Sequence, residues 1–228
     1  MCPTERPVCR RPHEGVDQDR VGFFACVTMN DAMPERQPSA SAPVPPRGSL
    51  TLILGCMFSG KTSELFRALT HFEPQSIRVF KHVIDNRYDP DSVVSHGGKA
   101  MPAVRIASAE EIPALIGGDI SWVAIDEGHF FDRSLADVAE SLTRRGVRVL
   151  VTALDRDSWS KPFLVVDQLR LVTDREILLF ATCASCGARA DRTQRTKPIV
   201  NGQMVGGPES YEPRCAPCWE PPVVSAAV

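Results

Sequence analysis

The strongest indication of chemistry in the sequence is a run of eight residues that follows a short apolar segment. Residues 55–62 fit the pattern G-x-x-x-x-G-K-[ST] at every fixed position. Glycine lets backbone N–H groups face a phosphate, the start of a helix adds positive potential, and the lysine ammonium can reach the terminal phosphates. The run therefore predicts binding of a nucleoside triphosphate, and a chance glycine turn is the alternative. The predicted nucleotide-binding residues are Gly55, Cys56, Met57, Phe58, Ser59, Gly60, Lys61 and Thr62.

Two carboxylates follow a later apolar run and could complete such a site. Residues 122–125 predict a buried strand, and Asp126 and Glu127 come directly after it. In proteins with this loop, a carboxylate at the end of a neighbouring strand holds hydrated Mg²⁺ together with the loop threonine, here Thr62. Asp126 is therefore predicted on the metal side, and Glu127 could accept a proton from an attacking hydroxyl or water. The alternative is a pair of solvated acids at the end of a strand.

Four of the eight cysteines form two Cys-x-x-Cys pairs, which metal chelation explains better than disulfides. Cys183 and Cys186 make the first pair, and Cys215 and Cys218 make the second after 28 intervening residues. Four thiolates on two tight turns give the closed tetrahedral shell of structural zinc, with no open position for catalysis. Unligated reduced cysteines and two disulfides are the alternatives. We expect a reducing, cytoplasmic setting. The other cysteines, interpreted as free thiols, are Cys2, Cys9, Cys26 and Cys56.

Alternating strands and helices are predicted to position these groups. This alternation predicts an α/β fold of the P-loop type, in which a mostly parallel sheet carries helices on both faces. Beyond Cys183 the alternation stops, and the remaining residues predict a small zinc-ribbon-like domain. The predicted strands are 50–54, 77–80, 122–125 and 147–152. The first predicted helix is 61–72, and the second is a short helix that begins with a Ser108 and Glu111 capping box. The third is capped by Asp132 and ended by Gly146.

Size and composition limit the organisation of the chain. Its 228 residues, 43% apolar and 24% charged, suffice for one α/β domain with a small appendage. The net charge of −2 gives no general attraction to nucleic acid or lipid, and no apolar run is long enough to predict a membrane span. Acidic neighbours argue against a signal peptide at 21–29. We expect a disordered proline-rich leader at 1–48, a nucleotide-binding α/β domain at 49–182, a small zinc domain at 183–219, and a flexible tail at 220–228.

Six motifs in this order closely resemble the cytosolic-type thymidine kinases. The resemblance extends from about Ser49 to Trp219. Several independent motifs in one order make it specific. The motifs are GCMFSGKT at 55–62, DNRY at 85–88, DEGHFF at 126–131, ALD at 153–155, KPF at 161–163 and VGGPESY at 205–211.

The resemblance implies an ATP- and Mg²⁺-dependent kinase for thymidine, with a structural Zn²⁺ and a lasso loop that closes over the nucleoside. It implies that Glu127 takes the 5′-hydroxyl proton and that Lys61 and Arg87 stabilise the transferring phosphoryl group. Members are usually homotetramers, inhibited by the triphosphate of their product. The implied nucleotide side adds Asp85, Asn86, Arg87, Asp126, Glu127, Gly128 and His129 to the loop, and the implied nucleoside side comprises Met57, Phe130, Leu154, Ser158, Phe163, Thr193, Gly202, Gln203, Met204, Val205, Gly206 and Tyr211.

Three positions depart from the family pattern. His129 stands where glutamine is usual, Cys56 where proline is usual, and Ser158 where a phenylalanine generally packs on the base. Stacking of an aromatic ring on a base contributes about 1–3 kcal/mol in single-strand binding, which sets the scale of the last change. Trp159, one residue away, could supply a ring.

Two other functions compete with a thymidine kinase. Ser158 and His129 favour a related kinase with a different nucleoside preference. A nucleic-acid-binding ATPase is the second alternative, because zinc ribbons often contact phosphates and a basic stretch lies between the cysteine pairs. A solvated charged face explains that stretch more simply, so we expect a nucleoside substrate and neither nucleic acid nor membrane as partner. The basic residues are Arg189, Arg192, Arg195 and Lys197.

Overall fold

The computed structural model describes residues 46–85, 89, 91–95, 97–198 and 209–223. All of them lie within one compact unit, Pro43–Val228. Most of the predicted leader, the end of the predicted tail and the motif residues 86–88 and 205–208 lie outside the described residues.

Six strands form one parallel sheet, which confirms the predicted α/β architecture. The order across the sheet is β5-β2-β6-β7-β1-β8, and every pairing is parallel. Each predicted strand is present with its ends moved by one to two residues. The strands of the chain are β1 (Leu50–Gly55), β2 (Ile77–His82), β3 (Ser92–Val94), β4 (Ala100–Pro102), β5 (Val104–Ile106), β6 (Trp122–Asp126), β7 (Arg148–Ala153), β8 (Arg175–Leu179), β9 (Ala181–Thr182), β10 (Arg189–Ala190), β11 (Arg192–Arg195) and β12 (Tyr211–Arg214).

Helices cover both faces of the sheet, because successive strand residues point to opposite sides. Leu52 and Leu54 pack into the larger core on one face, whereas Ile53 packs into a second core on the other. Residues of α3 and α4 contribute to the larger core and residues of α1 to the second. The helices are α1 (Lys61–Leu69), α2 (Ile112–Leu115), α3 (Ser134–Arg144) and α4 (Leu164–Val172).

The predicted capping residues at the starts of two helices are confirmed, and one helix is shorter than predicted. Ser108 and Glu111 form a complete capping box. Asp132 accepts the amide hydrogen of Ser134, the first residue of α3, at 2.9 Å. The first helix was predicted to run to Phe72 but ends at Leu69. Pro74 disfavours helical backbone in the residue before it, so the chain turns earlier.

Two short antiparallel pairs follow the sheet. Strand β9 pairs with β10, and β11 pairs with β12. Their core is small: Cys183, Ala190 and Cys215 are buried together. Among the residues that the structure describes, no helix has the length and apolar content needed to cross a membrane.

Candidate functional site

The loop between β1 and α1 takes the shape that its glycines allow. Gly60 has φ 86° and ψ 21° where the chain enters α1, a left-handed conformation that glycine adopts without strain. Gly55 lies so close to the next strand that an added Cβ would be 2.5 Å from the Leu179 carbonyl oxygen. Phe58 has φ 64°, which is uncommon outside glycine. The loop is therefore packed closely against β8 at its start and turned at Phe58 and Gly60.

Lys61 and Thr62 connect this loop to the carboxylates. The Lys61 ammonium, 7% exposed, donates to the Cys56 carbonyl at 2.9 Å and so spans the loop. The Thr62 hydroxyl lies 3.4 Å from Asp126 Oδ1. A threonine hydroxyl beside a buried carboxylate, at the start of a helix, is a donor set that suits Mg²⁺ next to a phosphate. These residues fit the cation that the sequence predicted.

The expectation that the Asp126 strand is the immediate neighbour of β1 is wrong. Strand β7 lies between β6 and β1. It supplies Thr152, whose hydroxyl donates to Asp126 Oδ1 and accepts the Glu127 amide hydrogen at 3.1 Å. Thr152 is fully buried. The interposed strand thus holds both carboxylate residues at the edge of the loop.

Asp126 lies in an environment that opposes its ionisation. Burial raises its pKa to about 7, the negative charges of Glu127 and Asp85 add to this, and the Thr152 hydroxyl and the Lys61 ammonium oppose it. A cation beside the carboxylate would favour the ionised form. Asp85 is itself 5% exposed. Three acidic residues therefore surround the point where Thr62 meets Asp126.

Glu127 has a backbone conformation that is rare for its type. Its φ of 53° and ψ of 46° are left-handed, as often found where surrounding structure fixes a functional residue. Its side chain is 13% exposed, and Oε2 lies 3.4 Å from His129 Nδ1. The same ring nitrogen lies 3.3 Å from the Leu154 amide nitrogen. The Glu127 carboxylate is therefore held beside the loop and beside a ring.

Aromatic side chains extend the site away from the carboxylates. The His129 ring centroid is 4.3 Å from that of Phe130 and 4.9 Å from that of Phe163. Phe130, Leu154 and Phe163 are half-buried. These four residues form an apolar wall that a planar base could contact.

Ser158 lies in a tight turn between β7 and α4. The turn is closed by a bridge between Arg156 and Pro162, and the Arg192 guanidinium donates to the Ser160 hydroxyl, which ties the turn to β11. Ser158 is 4% exposed, and its hydroxyl has no hydrogen-bond partner among the described residues. A buried hydroxyl of this kind is costly unless a further group pairs with it.

Two other predicted nucleoside contacts lie on β11 and β12. The Thr193 hydroxyl accepts the Met57 amide hydrogen at 3.1 Å, so the loop touches β11 directly. Tyr211 is 6% exposed, and its hydroxyl accepts a hydrogen bond from Arg195. The predicted residues Asn86, Arg87 and Gly202 to Gly206 lie outside the described part of the chain.

The four paired cysteines converge on one point. Their sulfur atoms all lie within 4.8 Å of one another. Tetrahedral zinc with Zn–S bonds of about 2.3 Å requires sulfur atoms about 3.8 Å apart, so small movements would complete the shell. Burial and the neighbouring thiols raise the pKa of Cys215 to about 12. A metal must displace this proton, so its binding is favoured as pH rises. The cluster is compatible with structural zinc.

Comparison with known families adds one decisive observation. The family model described as thymidine kinase matches residues 48–219, well over half of the chain. The chain belongs to the thymidine kinase family. Membership identifies the protein as a kinase that phosphorylates a small nucleoside. The match also covers the four-cysteine cluster together with the phosphate loop.

In this member of the thymidine kinase family, several predicted site residues meet. Lys61, Thr62 and Asp126 form the phosphate end. His129, which adjoins Glu127, connects that end to Phe163. Gly128 is buried at the start of the turn between them.

Sequence reasoning missed two residues of the site. Thr152 was treated only as the end of a strand, and its position between two strands could be recognised only from their order in the sheet. Asp155 belongs to a quoted motif but was given no role. Burial raises the pKa of its carboxyl, opposed by the charges of Arg156 and Lys61, and its Oδ1 has no hydrogen-bond partner among the described residues. Its place in the motif was the available signal.

Proposed function

We propose that the protein is an ATP-dependent thymidine kinase, which transfers the γ-phosphoryl group to the 5′-hydroxyl of thymidine and yields thymidine 5′-monophosphate. The observation that carries this proposal is the position of Glu127. Its backbone amide is held by Thr152, its carboxylate lies beside His129, the preceding buried Asp126 lies beside Thr62 of the phosphate loop, and an aromatic wall adjoins it. Together these groups can serve a triphosphate on one side and a nucleoside on the other.

The reaction requires one bond to form and one to break. The 5′-hydroxyl oxygen bonds to the γ-phosphorus, the bond from that phosphorus to the bridging oxygen breaks, and the electron pair leaves with ADP. Glu127 accepts the hydroxyl proton. Lys61 and Arg87 stabilise the charge on the phosphoryl oxygens, and Asp85 assists on the metal side. Thr62 and Asp126 hold Mg²⁺, which when bound neutralises phosphate charge.

The nucleoside is proposed to lie between the α/β domain, residues 49–182, and the cysteine domain, residues 183–219. The four thiolates hold a structural Zn²⁺ in a reducing cytoplasm, and the functional particle is a homotetramer. The resemblance to thymidine kinases supports these assignments. The proposed nucleoside contacts are Met57, Phe130, Leu154, Ser158, Phe163, Thr193, Tyr211 and the segment 202–206.

A kinase with a different nucleoside preference is the second candidate, favoured by Ser158. This side chain replaces the ring that family members stack on the base, and its buried hydroxyl has no hydrogen-bond partner among the described residues. A base with a polar group at that point would pair with it. Thymidine remains our first choice because the phosphate end and the aromatic wall match the family pattern.

Among the described residues, no contact favours a nucleic-acid-binding ATPase. Three arginines of the basic stretch have partners within the chain: Arg189 lies over the Phe180 ring at 3.2 Å, Arg192 donates to Ser160, and Arg195 donates to Tyr211. These contacts account for three of the four basic residues without a bound phosphate backbone.

A nucleoside panel tests the proposal. The full chain would be incubated with Mg-ATP and, separately, with thymidine, deoxyuridine, deoxycytidine, deoxyadenosine and deoxyguanosine, and 5′-monophosphates would be quantified by chromatography. We expect thymidine to give the highest kcat/KM. Efficient phosphorylation of another nucleoside with none of thymidine would establish the second candidate. ATP hydrolysis stimulated by single-stranded DNA, with no nucleoside product, would reject both.

A further inference from the structure

Two hydrogen bonds join the phosphate loop directly to the four-cysteine domain. The Cys56 thiol, 1% exposed, donates to the Ala190 carbonyl at 3.6 Å. The neighbouring Met57 amide donates to the Thr193 hydroxyl at 3.1 Å. Burial raises the pKa of the Cys56 thiol, which keeps its hydrogen available for donation. Proline, usual in the family at position 56, has no side-chain donor and could not make the first bond.

The acceptor Ala190 packs against two of the four cysteines. It is fully buried in one small core with Cys183 and Cys215. Its strand begins directly after the turn in which the Cys183 amide donates to the Ala188 carbonyl at 2.7 Å. The position of the Ala190 carbonyl is therefore set by the same packing that assembles the thiols.

The acceptor Thr193 is tied to the same turn by a second route. In the antiparallel pair of β11 and β12, Thr193 lies opposite Pro213. The Pro213 carbonyl accepts the amide hydrogen of Ala184, the residue after Cys183, at 2.9 Å. Strand β12 leads one residue later to Cys215. Both acceptors thus depend on the arrangement of the cysteine turns.

On the loop side, the same two residues control the groups that face a phosphate. The Cys56 carbonyl accepts the hydrogen bond from the Lys61 ammonium. Met57 directly precedes Phe58, whose left-handed backbone turns the rest of the loop. A shift of the backbone at Cys56 and Met57 would therefore move the lysine and the following amides.

We propose that Cys56 and Thr193 are positioning residues that couple the four-cysteine metal site to the phosphate loop, so that metal occupancy strengthens triphosphate binding. The proposal rests on the triphosphate binding proposed above. Coupling between two sites is reciprocal, so bound ATP must increase the affinity for zinc by the same factor.

The test measures both directions of this coupling in the full chain. ATP affinity, without nucleoside, would be measured by calorimetry for the zinc-loaded protein and after zinc removal. Zinc affinity would be measured by equilibrium competition with a chromophoric chelator, with and without saturating ATP. Each net hydrogen bond lost is expected to weaken ATP binding about fivefold. We expect zinc removal to weaken ATP binding about fivefold or more. Saturating ATP should raise the affinity for zinc by the same factor.

Variants separate coupling from general damage. The double variant Cys56→Ala with Thr193→Val should keep one zinc per chain, bind ATP as weakly as the zinc-free wild type, and lose the effect of ATP on zinc affinity. The single variant Cys56→Ser, with Thr193 unchanged, should keep the coupling, because a serine hydroxyl also donates a hydrogen bond. Thr143→Val is the matched control: it removes a buried threonine hydroxyl, bonded to Glu140 within α3, and should leave ATP affinity unchanged.

Three outcomes would overturn the coupling alone, and a fourth would overturn it together with the proposed function. The first is a zinc-loaded double variant that binds ATP as tightly as the wild type. The second is a loss of ATP affinity on zinc removal that is equal in the double variant and the wild type. Wild-type ATP affinity that is independent of zinc, in a protein whose circular dichroism is unchanged, would also contradict it while leaving the proposed kinase intact. Failure of the zinc-loaded wild type to bind ATP would reject the proposed function and the coupling together.

Discussion

Thr152 shows how one side chain can organise two acidic residues. Its hydroxyl donates to the Asp126 carboxylate and accepts the Glu127 amide hydrogen, and it is fully buried between the strands. Asp126 is thereby kept next to Thr62, and Glu127 is held in its left-handed conformation. A residue with no chemistry of its own therefore fixes the spacing between the proposed metal side and the proposed base.

Replacing this hydroxyl should lower activity. Thr152→Val keeps the shape but can neither donate to Asp126 nor accept from Glu127. We expect kcat/KM for the nucleoside to fall about 10- to 100-fold, which corresponds to about 1.5–3 kcal/mol for a hydrogen bond to a charged group. Thr152→Ser should stay close to wild type. Steady-state kinetics with a melting curve for each variant measures this, and wild-type kcat/KM in a folded Thr152→Val protein would remove the positioning role.

We propose that Ser158 determines how closely the base is held. Ser158→Phe would restore the ring that family members stack on the base, and base stacking contributes about 1–3 kcal/mol. We expect the Kd for thymidine, measured by calorimetry, to decrease about tenfold. Ser158→Ala, which removes the hydroxyl without adding a ring, serves as the control and should not tighten binding. A folded Ser158→Phe protein with unchanged or weaker thymidine affinity would show that this turn does not face the base.

At the scale of elements, the sequence predicted what depends on local pattern. Residues 55–62 and the strand before them were identified because phosphate binding needs fixed residue types at fixed spacing. Helix α3 was located from its buried stripe and its Asp132 cap. Strand β8 was not predicted, because its alternation of charged and apolar residues is weak at an exposed edge. Helix α4 was not predicted either, because its apolar run is short enough to fit a strand or a helix.

The order of strands could not be read from the sequence. The Asp126 strand was expected beside β1, whereas β7 lies between them. Strand order depends on how crossover connections pack on the sheet, which local residue patterns do not encode. For this reason Thr152 was overlooked while the carboxylates that it holds were identified.

The paired cysteine turns should bind their metal only as a complete set. Cys215→Ser removes one thiolate from a cluster whose sulfur atoms lie within 4.8 Å, and a hydroxyl is a poor substitute for zinc. We expect metal content, measured by mass spectrometry of native protein, to fall from one zinc per chain to near zero. Cys56→Ser is a control that should retain zinc. Stoichiometric zinc in the Cys215→Ser protein would contradict the ligand set.

At the scale of the whole molecule, the edge of the sheet and the cysteine domain meet at the phosphate loop. Strand β8 lies beside β1 and leads, through one residue, into β9, which precedes Cys183. The close approach of Gly55 to Leu179 and the Met57 contact with Thr193 bring the loop, the sheet edge and β11 together. Cys183 follows Glu127 by 56 residues in the sequence, so the proximity of the cysteine domain to the loop follows only from this topology.

The sequence motifs were therefore sufficient for the family, and the fold brings together Lys61, Thr62 and Asp126 of the predicted phosphate end. The aromatic wall was identified only through resemblance, since Phe130, Leu154 and Phe163 individually look like ordinary core residues. The contacts of Cys56 with Ala190 and of Met57 with Thr193 could not be predicted, because they join segments more than 130 residues apart.

Transfer of labelled phosphate by Glu127→Gln tests the central claim most directly. With ATP labelled at the γ-phosphate, the wild type is expected to produce labelled thymidine monophosphate. Glu127→Gln should bind ATP normally but transfer at least about 100-fold more slowly, because the amide cannot accept the hydroxyl proton. Glu140→Gln, which alters a glutamate paired with Arg144 in α3, is the control and should keep the wild-type rate. Transfer by Glu127→Gln at the wild-type rate would contradict the account.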